Sequence, residues 1–233
     1  FNEVSVFSPE IIILATPTQF LCSFLHKTPV SLWNGQQLLA VVNVAKGIEE
    51  KTFKTLDAVI KDELPFLPES KICALSGPSH AEEVARKIPT TVVIAGSDEN
   101  LLCQLQTVFS NAYFRVYRNL DLIGVEIGGA VKNIIAISAG IISGLGFGDN
   151  TIGALLTRGI VEIQRLGVAL NACPETFLGL SGIGDLITTA TSLHSRNRFV
   201  GWEIGKGRKL SEILSKMEMV AEGVTTTRSV YLL

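Results

Sequence analysis

Up to about residue 120 this chain alternates two patterns, and beyond it only one of them survives. Short, continuously apolar runs at 11–15, 39–44, 72–75 and 91–95 read as strands, with one more at 113–117. Amphipathic segments lie between them. The clearest is 49–64, where Phe53, Leu56, Val59, Ile60 and Leu64 recur at helical spacing. Strands that are apolar along their whole length must be covered on both faces, which predicts a parallel sheet between layers of helices. After Leu120 the segments 121–146, 150–171, 181–192, 195–206, 209–217 and a last one from about Glu222 all read as helices, punctuated by Pro174 and by glycines 179, 182 and 184. The expectation is an α/β domain over residues 1–119 and an all-helical domain over 120–233.

Composition narrows the function classes. With 233 residues, 47% apolar and 18% charged, the chain can bury one large core or two modest ones. A net charge of -2 gives no reason to expect nucleic acid or an anionic membrane as partner, so any anion site must be local. Cys22, Cys73, Cys103 and Cys173 are scattered without a C-x-x-C pair, which predicts buried free thiols, a reducing cytoplasm and no bound metal. The apolar run 134–148 is too short and glycine-rich to predict a membrane span. The opening Phe1-Asn2-Glu3 has neither the basic nor the apolar region of a secretory leader.

The segment from Gly124 to Asn150 carries the most chemistry. It is helix-length and apolar, yet it holds Lys132 and Asn133 side by side near its middle, next to Val131 and Ile134. A lysine there either runs its stem out to water or is buried with a partner, and a buried lysine of lowered pKa can act as a general base. Gly128 and Gly129, one turn earlier, allow a substrate or another backbone to approach closely. Asp185 follows Gly182-Ile183-Gly184 at a helix start, either as a first-turn acid or as a partner for Lys132. Thr188 and Thr189 could add hydroxyl contacts one turn on. Ser195-Arg196-Asn197-Arg198 is a basic turn whose guanidinium, hydroxyl and amide groups suit a phosphate. Ser76-Gly77-Pro78-Ser79-His80-Ala81 is a strand-to-helix turn in which Ser79 can cap the following helix or bond a ligand.

V-E-x-x-G-A-x-K-N at 125–133 followed by G-x-G-F-G-D-N at 144–150 resembles the signature of NAD(P)-dependent glycerol-3-phosphate dehydrogenases. Ala45-Lys46-Gly47-Ile48-Glu49, the Ser76 turn, Gly182 to Thr189, Ser195 to Arg198 and Ala221-Glu222-Gly223-Val224 stand in the family's order, so the resemblance covers nearly the whole chain. It implies a Rossmann-like first domain and interconversion of dihydroxyacetone phosphate and sn-glycerol 3-phosphate in the cytoplasm, feeding glycerophospholipid synthesis. Lys132 would be the proton donor and acceptor. Lys46, Gly77, Ser79, Lys132, Asp185, Ser195, Arg196 and Asn197 would hold the phosphorylated triose. Lys46, Ala81, Arg196, Val220, Glu222 and Phe20 would line the cofactor, NAD or NADP. Arg198 inherits no role, and the proton-transfer role falls on lysine, so His80 is set aside; His26 and His194 read as surface residues. A homodimer is compatible with this reading, while the residues leave the oligomeric state open.

No G-x-G-x-x-G turn stands ahead of the first strand, and Gly144-x-Gly146-x-Gly148 has the wrong spacing. The resemblance thus implies a chain that begins inside the family's cofactor domain, short by roughly two βα units. Two other readings stay open: another β-hydroxyacid-type dehydrogenase, and a truncated chain that folds without binding cofactor.

Overall fold

A computed structural model describes residues 8–217 and 219–233; the opening Phe1-Asn2-Glu3 lies outside them. The first part contains, in chain order, β1 (Ile11–Leu14), α1 (Thr18–Lys27), α2 (Val30–Trp33), β2 (Ala40–Asn43), α3 (Leu56–Glu63), β3 (Ile72–Ser76), α4 (Ala81–Ala85), β4 (Thr90–Ala95), α5 (Glu99–Phe109) and β5 (Phe114–Asn119). They form one five-stranded sheet in the order β1-β2-β3-β4-β5. Alternation along β2 shows how it is covered. Val41 packs with Leu21, Leu25, Val59 and Ile60 of α1 and α3 on one face, and Ala40 and Val42 pack with Leu102 and Leu105 of α5 on the other.

Two expectations need correction. The sheet is parallel except between β3 and β4, which run antiparallel with Ser76 opposite Val93. The link between them holds only the five-residue α4. About 7 Å of helix cannot carry the chain back along a strand of roughly 16 Å, so it turns and pairs with the strand it has just left. The helix predicted over 49–64 begins only at Leu56. Ahead of it the Glu49 carboxylate accepts the N–H groups of Lys51 (2.9 Å) and Thr52 (2.6 Å), and Phe53 takes φ +58. That side-chain competition for backbone donors closes a turn in place of a helix.

The second part is helical: α6 (Leu122–Gly144), α7 (Asp149–Ala169), a 3₁₀ turn (Pro174–Leu178), a π turn (Leu180–Gly184), α8 (Asp185–Thr191), α9 (Arg196–Gly205), α10 (Leu210–Leu214) and α11 (Glu222–Leu232). Asp121 starts α6 by accepting the N–H of Gly124 at 2.9 Å. Because α6 begins at Leu122, it is long and apolar enough by length and composition to cross a bilayer, contrary to the reading of 134–148 alone. Two-thirds of that stretch is buried inside the protein, with α7, α8, α9 and α11 packed around it. The thiols also differ from expectation: Cys73 is buried, Cys22 is intermediate, and Cys103 and Cys173 are exposed.

Candidate functional site

The paired glycines let α6 lie against two other pieces of chain. A Cβ on Gly128 would sit 2.7 Å from the Ser181 carbonyl oxygen, and one on Gly129 would sit 2.7 Å from Ser76 Oγ. This close seat brings Lys132 over the carboxyl ends of β2 and β3, where it is 5% exposed. Its Nζ donates to Asp185 Oδ1 at 2.6 Å and to Thr189 Oγ1 at 2.5 Å. Thr189, one turn after Asp185 on α8, donates in turn to Asp185 Oδ1 at 3.2 Å. Asp185 is the first residue of α8, a first-turn acid that makes no side-chain cap, and its carboxylate is engaged by the lysines and Thr189.

Lys46 completes the cluster from the loop after β2. Its Nζ donates to Asp185 Oδ2 at 2.7 Å and to the Gly77 carbonyl at 3.0 Å. Gly77 has φ +129, and a Cβ there would come within 3.1 Å of Val92 Cα, so glycine is what allows this turn to aim its carbonyl at the lysine. One carboxylate thus bridges two ammonium groups. Burial pushes the Lys132 ammonium down to about 8; Asp185 opposes that shift and Lys46 adds to it. Burial alone would raise the Asp185 carboxyl, but the two lysines outweigh it and hold the group below the usual carboxylate range.

Lys46 and Lys132 face a hollow of about 320 Å³ whose other walls include Ser79, His80, Ala81, His194, Ser195, Arg196, Asn197, Val220 and Glu222. Ser195 Oγ accepts the Arg198 N–H at 3.2 Å and so caps α9. Arg196 is exposed and donates from Nη1 to the Val220 carbonyl at 2.9 Å. Asn197 is buried and spends most of its amide on structure: Nδ2 donates to Asn133 Oδ1 and Oδ1 accepts the Gly223 N–H, both at 2.9 Å. Ser79 does not cap α4; its hydroxyl donates back to the Gly77 carbonyl at 3.1 Å. A neighbouring hollow of about 250 Å³, lined by Ala15, Pro17, Val44, Ala45, Arg196, Val220 and Glu222, leads toward the end of β1. Phe20 is exposed on α1 and stands outside both hollows.

A larger open hollow of about 1100 Å³ lies beside β5 and the Pro174–Leu178 turn. One of its acids, Asp121, is already committed to the N–H groups of Gly124 and Cys173 and to the Thr176 hydroxyl. Convergent cations with a buried partner occur at the smaller hollow, which is therefore the candidate site.

Comparison with known proteins gives the family of the chain. The family models for the N-terminus and C-terminus of NAD-dependent glycerol-3-phosphate dehydrogenase match residues 3–102 and 121–233. The glycerol-3-phosphate dehydrogenase (NAD(P)+) of Staphylococcus saprophyticus is 49% identical over 229 residues, covering 98% of this chain and 68% of that protein. The chain belongs to the NAD-dependent glycerol-3-phosphate dehydrogenase family. The Chlorobium luteolum enzyme of the same name is 50% identical over 96% of this chain and 66% of its own length. The crystal structure of glycerol-3-phosphate dehydrogenase from Coxiella burnetii superposes with a TM-score of 0.89 at 34% identity, over 96% of this chain and 66% of that one. The chain thus spans about two-thirds of the length of these relatives.

Thr189, one of the two threonines the sequence offers for hydroxyl contacts, makes them, and Asn133 and His80 also stand at the site. Thr189 bonds both members of the Lys132–Asp185 pair, and its signal is its i+4 spacing from Asp185 on one helix face. Thr188, equally placed in the sequence, points back to the Gly184 carbonyl at 3.0 Å. Asn133 joins α6 to α9 through Asn197. His80 lines the hollow with Nε2 buried and without a partner, and burial, helped by Lys132, pushes its pKa down.

Proposed function

We propose that this chain interconverts dihydroxyacetone phosphate and sn-glycerol 3-phosphate with NAD or NADP, with Lys132 as the group that exchanges the proton. The observation that supports it most is a buried lysine, ion-paired to Asp185, opening onto a hollow that also holds a second lysine and Arg196. Such a hollow suits a small dianion with a polar carbon. Lys132 Nζ gives its proton to the C2 oxygen in the reducing direction and takes it back from the hydroxyl in the oxidising direction. Lys46 adds a second positive charge beside that oxygen and orients it. Arg196 and the capped start of α9 receive the phosphate. Asp185 keeps both ammonium groups in place, and Gly77 and Ser79 shape the turn beneath them.

The residues at the second hollow fit a nicotinamide cofactor. Ligands of open α/β sheets gather at the carboxyl ends of parallel strands, where Ala15, Val44 and Lys46 lie, and Ala81, Arg196, Val220 and Glu222 border the same space. When bound, the cofactor supplies the hydride to C2 or accepts it. We place the domain division after residue 119, and the cytoplasm, glycerophospholipid supply and homodimeric association belong to the same proposal.

The deciding experiment is oxidation of NADH and NADPH with dihydroxyacetone phosphate, on this chain and on one extended to the length of its relatives. Turnover in the extended chain supports the reading. Failure in both removes the substrate and favours another dehydrogenase or a non-catalytic chain. Two expectations accompany it. Arg196→Ala raises KM for the phosphorylated triose roughly tenfold, about 1.4 kcal/mol of lost phosphate contact, and leaves kcat nearly unchanged. A pKa of about 8 for Lys132 makes reduction, which needs the protonated lysine, fall as pH passes 8, while oxidation, which needs the neutral lysine, rises over the same range. Because Lys46 lowers that pKa, Lys46→Met moves both limbs to higher pH; parallel kcat/KM–pH profiles with unmoved limbs count against the assignment.

A further inference from the structure

Glu126 stands on α6 one turn before Gly129, is 8% exposed, and has no part in the chemistry just described. Its Oε1 accepts from Asn43 Nδ2 at 3.3 Å. Asn43 closes the end of β2 and clamps the next residues from both sides: Oδ1 accepts the Ala45 N–H at 3.0 Å and Nδ2 donates to the Ala45 carbonyl at 3.2 Å. The residue after Ala45 is Lys46, whose stem lies over Gly129, with Cγ 3.5 Å from where a Cβ there would stand. Glu126 and Gly129 are i, i+3 neighbours, so one face of α6 grips the lysine loop by a hydrogen bond and seats its stem by a gap. The other carboxyl oxygen of Glu126 accepts the Asp57 N–H at 3.2 Å, at the start of α3, whose Thr55 offers no side-chain cap.

We propose that Glu126 is a positioning residue for the reaction: through Asn43 it sets the turn that carries Lys46 and thereby the place of the Lys46 ammonium beside Asp185. The inference rests on the proposed function, since Lys46 matters only if that hollow is the site. Protonation completes the network. Asp57 Oδ1 is buried with no donor, and a neutral Glu126 supplies one. Burial, and then the nearby Asp57 carboxylate, push the Glu126 carboxyl well above its usual range. A neutral acid costs far less to bury than a carboxylate, and it can both accept from Asn43 and donate to Asp57.

The rival reading is that Glu126 merely ties α6 to α3. Three variants separate the two, each measured with dihydroxyacetone phosphate in the chain extended to its relatives' length. Glu126→Leu removes both bonds, and KM for the triose rises or kcat falls by about tenfold to a hundredfold. Glu126→Gln keeps an acceptor for Asn43 and a donor for Asp57 and restores most of the loss. On a Lys46→Met background Glu126→Leu adds little, because both changes act through one group. Should Glu126→Leu fail to fold, Asn43→Ala cuts the same link at its β2 end and must show the same pattern. Lysine ammonium NMR gives a reading free of turnover: the Lys46 signal, identified by its loss in Lys46→Met, stays protected in the parent and in Glu126→Gln and exchanges rapidly in Glu126→Leu. Full additivity with Lys46→Met, or an unchanged Lys46 signal, overturns the inference. An inactive parent with the expected signal pattern would instead sink the proposed substrate and leave the positioning role standing.

Discussion

Lys132→Ala lowers turnover by about two to four orders of magnitude, the usual contribution of a positioned general acid or base, while the chain stays folded and its cofactor affinity is retained. The fold survives because Asp185 keeps a partner. With Lys132 gone, Oδ2 still accepts from Lys46 at 2.7 Å and Oδ1 still accepts from Thr189 at 3.2 Å, so no carboxylate is left bare. Cofactor affinity survives because the polar contacts of Lys132 are to Asp185 and Thr189. Lys132→Arg is expected to be nearly as inactive: a guanidinium remains charged and has no proton to exchange near neutral pH. Steady-state turnover with dihydroxyacetone phosphate, set beside a cofactor fluorescence titration, checks both halves. Activity largely kept in Lys132→Ala would show that the proton comes from elsewhere, and His80 would be the next group to test.

Asp185→Ala is expected to cost both activity and stability, which sets it apart from the lysine variant. It leaves two ammonium groups close together, one almost fully buried, whose side-chain hydrogen bonds among the described residues then go to the Gly77 carbonyl and the Thr189 hydroxyl. Removing one member of a buried ion pair costs about 3–5 kcal/mol. Lys46 keeps some access to water, so the lower end applies, and a loss of about 3 kcal/mol corresponds to a fall in Tm of roughly 10 °C for a chain of this size. Repulsion between the lysines also drives the Lys132 pKa below 8, so Asp185→Ala loses the reducing direction first as pH rises. Calorimetry alongside activity decides the matter. A Tm within a degree or two of the parent would mean that the carboxylate is dispensable to the fold and that the lysines find other counter-charges.

The strands and long helices were legible because their apolar runs match the length of the element that buries them, short in 39–44 and long in 121–146. Where local groups compete, that signal misleads. At 49–55 the periodicity of Phe53 and Leu56 continues through a turn that the Glu49 carboxylate enforces. The direction of β4 was hidden as well, since an apolar strand reads the same both ways and only the shortness of α4 makes it antiparallel.

Sequence alone determined which residues could carry the chemistry: a lysine inside an apolar helix, glycines beside it, an acid after Gly-Ile-Gly and an arginine at a helix start. It could not determine which of them meet. Lys46, Lys132 and Asp185 lie 86 and 53 residues apart along the chain, and their meeting depends on how closely α6 seats against the sheet. The tertiary structure alone chose Thr189 over Thr188, turned Asn197 inward to Asn133, and gave Glu126 its hold on the Lys46 loop. Side-chain identity fixes what a group can donate, accept or ionise; whether it does so is settled by burial and by the partner that packing brings within about 3 Å.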